Sequence, residues 1–489
     1  MRQFVTIIVL TLALNCFGQY PLDKSKISWH TEQTVTRIEK VNLLMSSEVC
    51  DQGTRPPQCD NFSELQKKAT TDELVELTNH PNGVVRCYSF LALSYDTAAN
   101  LLPIAIKHIG DTALVITQLR GIRIAEKAGD FFINVVTPQY GDLKSKKLTS
   151  AEYDYLDSML IYTPGILYAK ANAISRARLT EAFYTRAREL VLKENNQPAL
   201  VMLAKYKRMQ DIPIILNNKR NSGPRNQLVF TYKAISEFPH SSFIPFLRKN
   251  LYEAMDTLSW RTEWEELYKA IASFKNDTAL QFLKVPFTQV KHQVIRQYHI
   301  GLVFEAMQAF YTPIYDELLW EMWGNEKRIS PAVFRLLYPK SPEKAYQLTK
   351  ETIQNADDFY YINSTTDSDE EETFVNLLDV MLDTIIVRDK TLAVELINQN
   401  IRVINVHQFP AVVGKALKLK DTSFVASLLA RLTREDYPPV FLKAAETLIA
   451  FNDQRINKRI VEVSKRNVNL RIGRGGQDFA KLLEENNIK

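Results

Sequence analysis

Three stretches of this 489-residue sequence carry residue types that hold ions or do chemistry, and each fails on spacing. His292 and His299 lie seven residues apart on a predicted helix. Two turns separate them by about 10 Å along the axis, whereas one metal ion needs ligands near 2 Å. Both read as structural or surface histidines. Asp367, Asp369 and Glu371 alternate like the first ligands of a calcium loop, but the glycine of the sharp turn and the closing bidentate glutamate are missing. Acids before a helix also have a simpler role, which is to stabilise its positive end. Gly473-Arg474-Gly475-Gly476 precedes Asp478 without the Lys-Ser/Thr of a phosphate loop. It is expected to be a terminal turn capped by Asp478. There is no His-Glu-x-x-His, Cys-x-x-Cys or Gly-x-Ser-x-Gly. Local spacing therefore assigns no catalytic residue, no cofactor-binding residue and no metal ligand. A site assembled from distant residues would escape this test.

One feature suits binding rather than catalysis. Arg455, Lys458, Arg459, Lys465, Arg466, Arg471 and Arg474 make one end basic, with Glu462 the only acid among them. Lys458, Arg459, Lys465 and Arg466 are the candidate contact for an acidic partner; the plain alternative is a solvated face. The formal charge of the whole chain, +5, is small for its length and does not argue for nucleic acid.

The first residues point to the compartment, and the cysteines follow from it. Residues 1–18 have a charged start at Arg2 and an apolar run from Phe4 to Leu14. They resemble a bacterial secretory signal cleaved after Gly18, which leaves Gln19 first. A lipoprotein signal with Cys16 as the lipidated residue is the rival, although Ala13-Leu14-Asn15 departs from its pattern. Cys50 and Cys59 flank a turn-rich loop and are expected to pair in an oxidising compartment. Cys87 shares an apolar face with Val84, Tyr88, Leu91 and Tyr95 and is expected to be buried and free. No later stretch reaches the roughly 20 apolar residues of a membrane span.

The elements that position these residues read as helices. Glycine is scarce, at 15 residues, and capping boxes stand at Thr70/Glu73 and Thr149/Glu152. A first helix is expected over 27–47, with Val35, Ile38, Val41, Leu44 and Met45 on one side. Leu74-Val75-Glu76-Leu77, Val84-Val85-Arg86 and Leu91-Ala92-Leu93 together resemble a HEAT repeat. The aspartate usual before the Val-Arg pair is absent; Asn79 and Asn82 are the nearest polar residues. A second such unit is expected over 98–109 and 112–128, with Asp111 as a cap. Residues 178–194 and 197–206 read as a helical hairpin, and Ala234 to Ser241 resembles a tetratricopeptide turn. Aromatic residues crowd 298–323 and are expected to pack a core. Leu377, Leu378, Met381, Leu382 and Ile385 form a clear apolar stripe after an acidic break. Phe409-Pro410-Ala411-Val412-Val413-Gly414-Lys415-Ala416 recurs as Tyr437-Pro438-Pro439-Val440-Phe441-Leu442-Lys443-Ala444, 28 residues on. The match places Lys415 and Lys443 at equivalent points of successive units, as Arg86 is within its own.

The expected fold is all-α, a HEAT-like or tetratricopeptide-like α-solenoid of stacked antiparallel hairpins in two or three segments. The expected divisions are 1–18 signal, 19–62 helix and cysteine loop, 63–220 HEAT-like repeats, 225–362 irregular helices, and 372–489 C-terminal repeats. Asn221-Ser222-Gly223-Pro224 is the expected linker. The expected function is a non-enzymatic interaction scaffold, periplasmic or secreted, that binds another envelope protein or an anionic envelope polymer. An envelope enzyme with a site in 150–350, or a structural subunit of a secretion or surface complex, are the alternatives.

Overall fold

The computed structural model describes residues 21–50, 55–119, 121–138, 144–218, 228–253, 255, 261–361 and 376–488. The signal, the 221–224 linker and the acids of 367–371 lie outside them. The chain divides into two compact units, Met1–Ser222 with Lys233–Phe238, and Gly223–Tyr232 with Pro239–Lys489. Helices dominate both.

In the first unit the helix Trp29–Val41 packs on Pro57–Lys68. It stops short of the expected 27–47 because Asn42 adopts a left-handed backbone, φ 51°. Leu44 and Met45 then form a short strand instead of a last helical turn. Cys50 and Cys59 are joined in a disulfide, with Cα atoms 5.6 Å apart, and Cys87 is free and buried. Both capping boxes form: Thr70 with Glu73 opens the helix Thr71–Leu77, and Thr149 with Glu152 opens Ser150–Tyr162. The helix Gly83–Ser94 is buried from Val84 through Ser94, as expected of a helix that is packed all round. Around it stand Trp29–Val41, Pro57–Lys68, Thr71–Leu77 and Ala128–Val136.

The expected second helical pair is only half present. Leu101–Lys107 is a helix, but Leu114–Leu119 and Ile122–Lys127 form an antiparallel hairpin with Val115 opposite Glu126 and Leu119 opposite Ile122. Leu44–Met45 adds to it in parallel, Leu44 opposite Thr117. Asp111 therefore caps no helix; its Oδ1 accepts the Ala113 N–H at the approach to the hairpin. The hairpin expected at 178–206 is present as helices Glu181–Glu194 and Gln197–Ala204, separated by Asn195 at φ 50° and Asn196 as N-cap.

In the second unit the helices Arg261–Ala272 and Gln293–Ala309 pack together. Of the aromatic residues expected to pack a core, Phe304, Tyr315, Trp320 and Trp323 are buried, while Tyr298, Phe310 and Tyr311 are half-buried. From 342 onward the packing alternates. Pro342–Gln354, Lys390–Val403, Phe424–Arg434 and Gln454–Arg466 pack each on the next, and so do Leu377–Arg388, Phe409–Leu419, Pro438–Ile449 and Gly473–Glu485. The stripe Leu377, Leu378, Met381, Leu382, Ile385 is buried. Within the matched octapeptides Val412 and Val440 are buried, as are Ala416 and Ala444.

Candidate functional site

The basic end is carried by the last two helices of this alternation. Helix Gln454–Arg466 opens with Asp453, whose side chain accepts the Arg455 N–H. Ile456 and Ile460 hold its inner face in the core. Lys458 and Lys465 lie two turns apart, as do Arg459 and Arg466, so each pair shares one side of the helix, the lysines opposite Ile456 and Ile460 and the arginines on the flank. Lys458, Arg459, Lys465 and Arg466 are all exposed, and none forms an ion pair with a described residue. Arg471 and Arg474 are likewise exposed and unpaired, while Arg455 pairs with Asp453 at 3.2 Å. Between 453 and 474 seven cations face two acids, a formal surplus equal to the +5 of the entire chain. Outside this end the molecule is formally neutral.

Side-chain donors fix this end to the helices before it. The last carbonyls of any helix lack intrahelical partners. Asn467 Nδ2 donates to the carbonyls of Leu432 and Glu435, both at 2.8 Å. One helix earlier, Arg431 Nη1 donates to the carbonyls of Arg402 (3.3 Å) and Ile404 (3.1 Å), while its Nε meets Glu435 at 2.5 Å. One helix earlier again, Asn400 Nδ2 donates to the Ile353 carbonyl at 2.9 Å. Each helix of the series thus closes the C-terminal end of its predecessor.

The glycines of 473–476 serve packing. A Cβ on Gly475 would stand 2.6 Å from Pro438 Cγ and 3.0 Å from Phe441 Cζ. Helix Gly473–Glu485 begins at Gly473, φ +64°. Asp478 lies exposed within that helix and is not its cap, which corrects the expected terminal turn. Close approach of two helices, not a turn, is the reason for the glycines.

The two lysines of the octapeptides occupy neighbouring helices of one row, with Phe424–Arg434 between them in sequence, but their surroundings differ. Lys415 is buried and reaches Asp379 and Asp383, each at 2.8 Å. Lys443 meets Glu446 of its own helix at 3.1 Å. His299 is fully buried, its Nδ1 3.0 Å from the Tyr268 hydroxyl, while His292 is exposed at the start of the same helix.

Sequence reasoning missed one buried ionisable cluster in 150–350. Asp211 is fully buried and accepts from Tyr184 Oη at 3.0 Å and from Arg188, and Arg208 stacks on the Tyr184 ring. Burial pushes the Asp211 carboxyl up, against the opposing hydrogen bond from Tyr184 and the charges of Arg188 and Arg208. Tyr184 and Arg188 share the helix Glu181–Glu194, 27 and 23 residues before Asp211, so no local spacing could announce the cluster. Neither of two shallow clefts, of about 170 and 180 Å³, includes Asp211 in its lining. Among the described residues no three His, Cys, Asp or Glu side chains are grouped to hold a metal ion, and no helix is long and apolar enough to cross a membrane. No family model, curated protein or solved structure matches the chain.

Proposed function

We propose that the protein is a non-catalytic binding scaffold of the bacterial envelope, exported by its first 18 residues, and that residues 342–485 form a HEAT-like or tetratricopeptide-like solenoid. The observation that carries the reading is the concentration of unpaired cations on the outer face of Gln454–Arg466 and the turn beyond it. Stacked helical pairs present extended surfaces and need no cleft to be useful. The alternating packing and the donors Asn400, Arg431 and Asn467 support the stack. The Cys50–Cys59 disulfide is compatible with an oxidising compartment. In this reading the basic end holds an acidic partner, and the Asp211 cluster is an internal brace.

The test is affinity purification of the tagged mature protein from its native envelope, beside a variant carrying Lys458→Glu, Arg459→Glu, Lys465→Glu and Arg466→Glu. The wild type is expected to retain a partner that the variant loses while its helical content stays unchanged. Capture that survives the reversal removes the basic end from the reading. Turnover of an envelope substrate, stopped by Asp211→Asn, removes the scaffold reading itself.

A further inference from the structure

We infer that residues 465–474 dock on an anionic lipid surface, with Val468 and Ile472 entering its interfacial layer while Lys465, Arg466, Arg471 and Arg474 meet the phosphate headgroups. The inference rests on the basic end being the contact surface and names its partner.

The basic face alone does not distinguish a lipid from any other polyanion. What distinguishes them is the apolar pair set among the cations. Val468 is 52% exposed and Ile472 is 56% exposed. They protrude because the chain between and before them is pinned. Asn467 is buried and hydrogen-bonded to Leu432 and Glu435, and Leu470 is 1% exposed beneath the turn Val468–Leu470. With 467 and 470 drawn inward, 468 and 472 are left outside.

Such side chains contribute nothing to a hydrated sulfated or carboxylated polymer. They lose water on entering the boundary between headgroups and acyl chains. Basic residues flanking an apolar tip are drawn to anionic lipid within a Debye length of its surface. In such a contact the buried apolar area and the attraction of the cations to anionic lipid add. Lys458 and Arg459 continue the basic face along the helix. The contact is peripheral, since no described helix is long and apolar enough to span.

The experiment is co-sedimentation of the full mature chain with vesicles of phosphatidylcholine, with and without phosphatidylglycerol. Two variants accompany it: the fourfold reversal at 458, 459, 465 and 466, and Val468→Ser with Ile472→Ser, which leaves every charge in place. The wild type is expected to sediment only with the anionic vesicles and to be released by salt. Charge reversal abolishes sedimentation, and the double serine variant binds about tenfold or more weakly. Circular dichroism melts confirm that both variants remain folded. The serine positions are exposed, so that variant keeps the test alive even if the reversal unfolds the chain.

Undiminished binding by the serine variant overturns the lipid assignment and leaves the basic end as a general polyanion surface. A wild type that ignores anionic vesicles also overturns it. Retention of dextran sulfate by that wild type, lost on charge reversal, then shows that the basic-end reading survives. Failure to retain either probe ends both.

Discussion

Arg86 shows how tightly single residues are used in the first unit. Its Nε and Nη2 donate to the two oxygens of Asp111 at 2.8 and 2.9 Å, and its Nη1 donates to the carbonyls of His80 and Pro81. His80 is buried beside it. Burial first, then the charges of Arg86 and Lys24, push the imidazole down to about 4. Glu39 lies 3.8 Å from the ring but is half exposed and does not reverse this. The neutral ring has a task, because Nδ1 accepts the Asn82 N–H at 3.1 Å. Glu73 shifts for another reason. Burial opposes its charge, but hydrogen bonds from Ser28, Thr70 and Thr31 outweigh it and hold the carboxyl down at about 2.

In both cases the unfolded chain binds protons more readily than the folded one, so stability is lost as the pH is lowered. The His80 contribution is lost between about pH 6.5 and 4, and the Glu73 contribution between about 4.5 and 2. Urea unfolding across pH is expected to show both windows. His80→Gln removes the upper one, and Glu73→Gln removes the lower one and about 2–3 kcal/mol at neutral pH. The disulfide makes a separate prediction. Cys50→Ser with Cys59→Ser is expected to cost about 2–3 kcal/mol, and Cys87 to resist alkylation until the chain unfolds. At this scale the sequence was most legible where one residue speaks to its neighbours, as in Thr70 with Glu73. It was least legible where partners are remote, as with Arg86 and Asp111, 25 residues apart.

Between residue and fold, the elements, the 112–128 region shows what periodicity misses. Leu114-Val115-Ile116-Thr117 and Ile122-Arg123-Ile124 are rich in β-branched residues, with Gly121 between the two runs. Those are hairpin signals. The expectation of a second HEAT-like pair overrode them, and tertiary pairing with Leu44–Met45 completed the sheet. The same false extension carried the first helix past Asn42. By contrast, Leu377 to Ile385 was read correctly because a long stripe with one buried face has a single solution.

Two helical glycines give a matched test of packing. Gly414 has nothing within 4 Å of an added Cβ, whereas Gly475 meets Pro438 and Phe441. Gly414→Ala is expected to stabilise by about 0.5–1 kcal/mol through helix propensity. Gly475→Ala is expected to destabilise by about 1–3 kcal/mol through overpacking. Thermal melts of the two variants, moving in opposite directions, check the helix contact at 475 directly.

For the whole molecule, charge is the more telling quantity. A chain whose formal surplus sits within 22 residues should bind a cation exchanger through that end. The fourfold reversal takes the formal charge to about −3 and is expected to abolish retention at neutral pH. Retention that persists would place the active charge elsewhere. The basic end was visible in the sequence, because charge composition survives folding. Its lack of counter-ions was not visible, because that depends on which acids the fold brings near. The octapeptide match likewise found two helices of one row, yet it did not find the bonds that tie the other row together. Asn400, Arg431 and Asn467 stand at unequal intervals and are not all one residue type, but each supplies N–H groups to the C-terminal end of the preceding helix of its row. At these three positions what recurs is a task and not a peptide. Any polar side chain long enough to reach two bare carbonyls can fill the post, and the connecting turns are free to lengthen. A series of this kind can therefore keep its bonds while its sequence drifts, and would be recognised by those bonds before its letters.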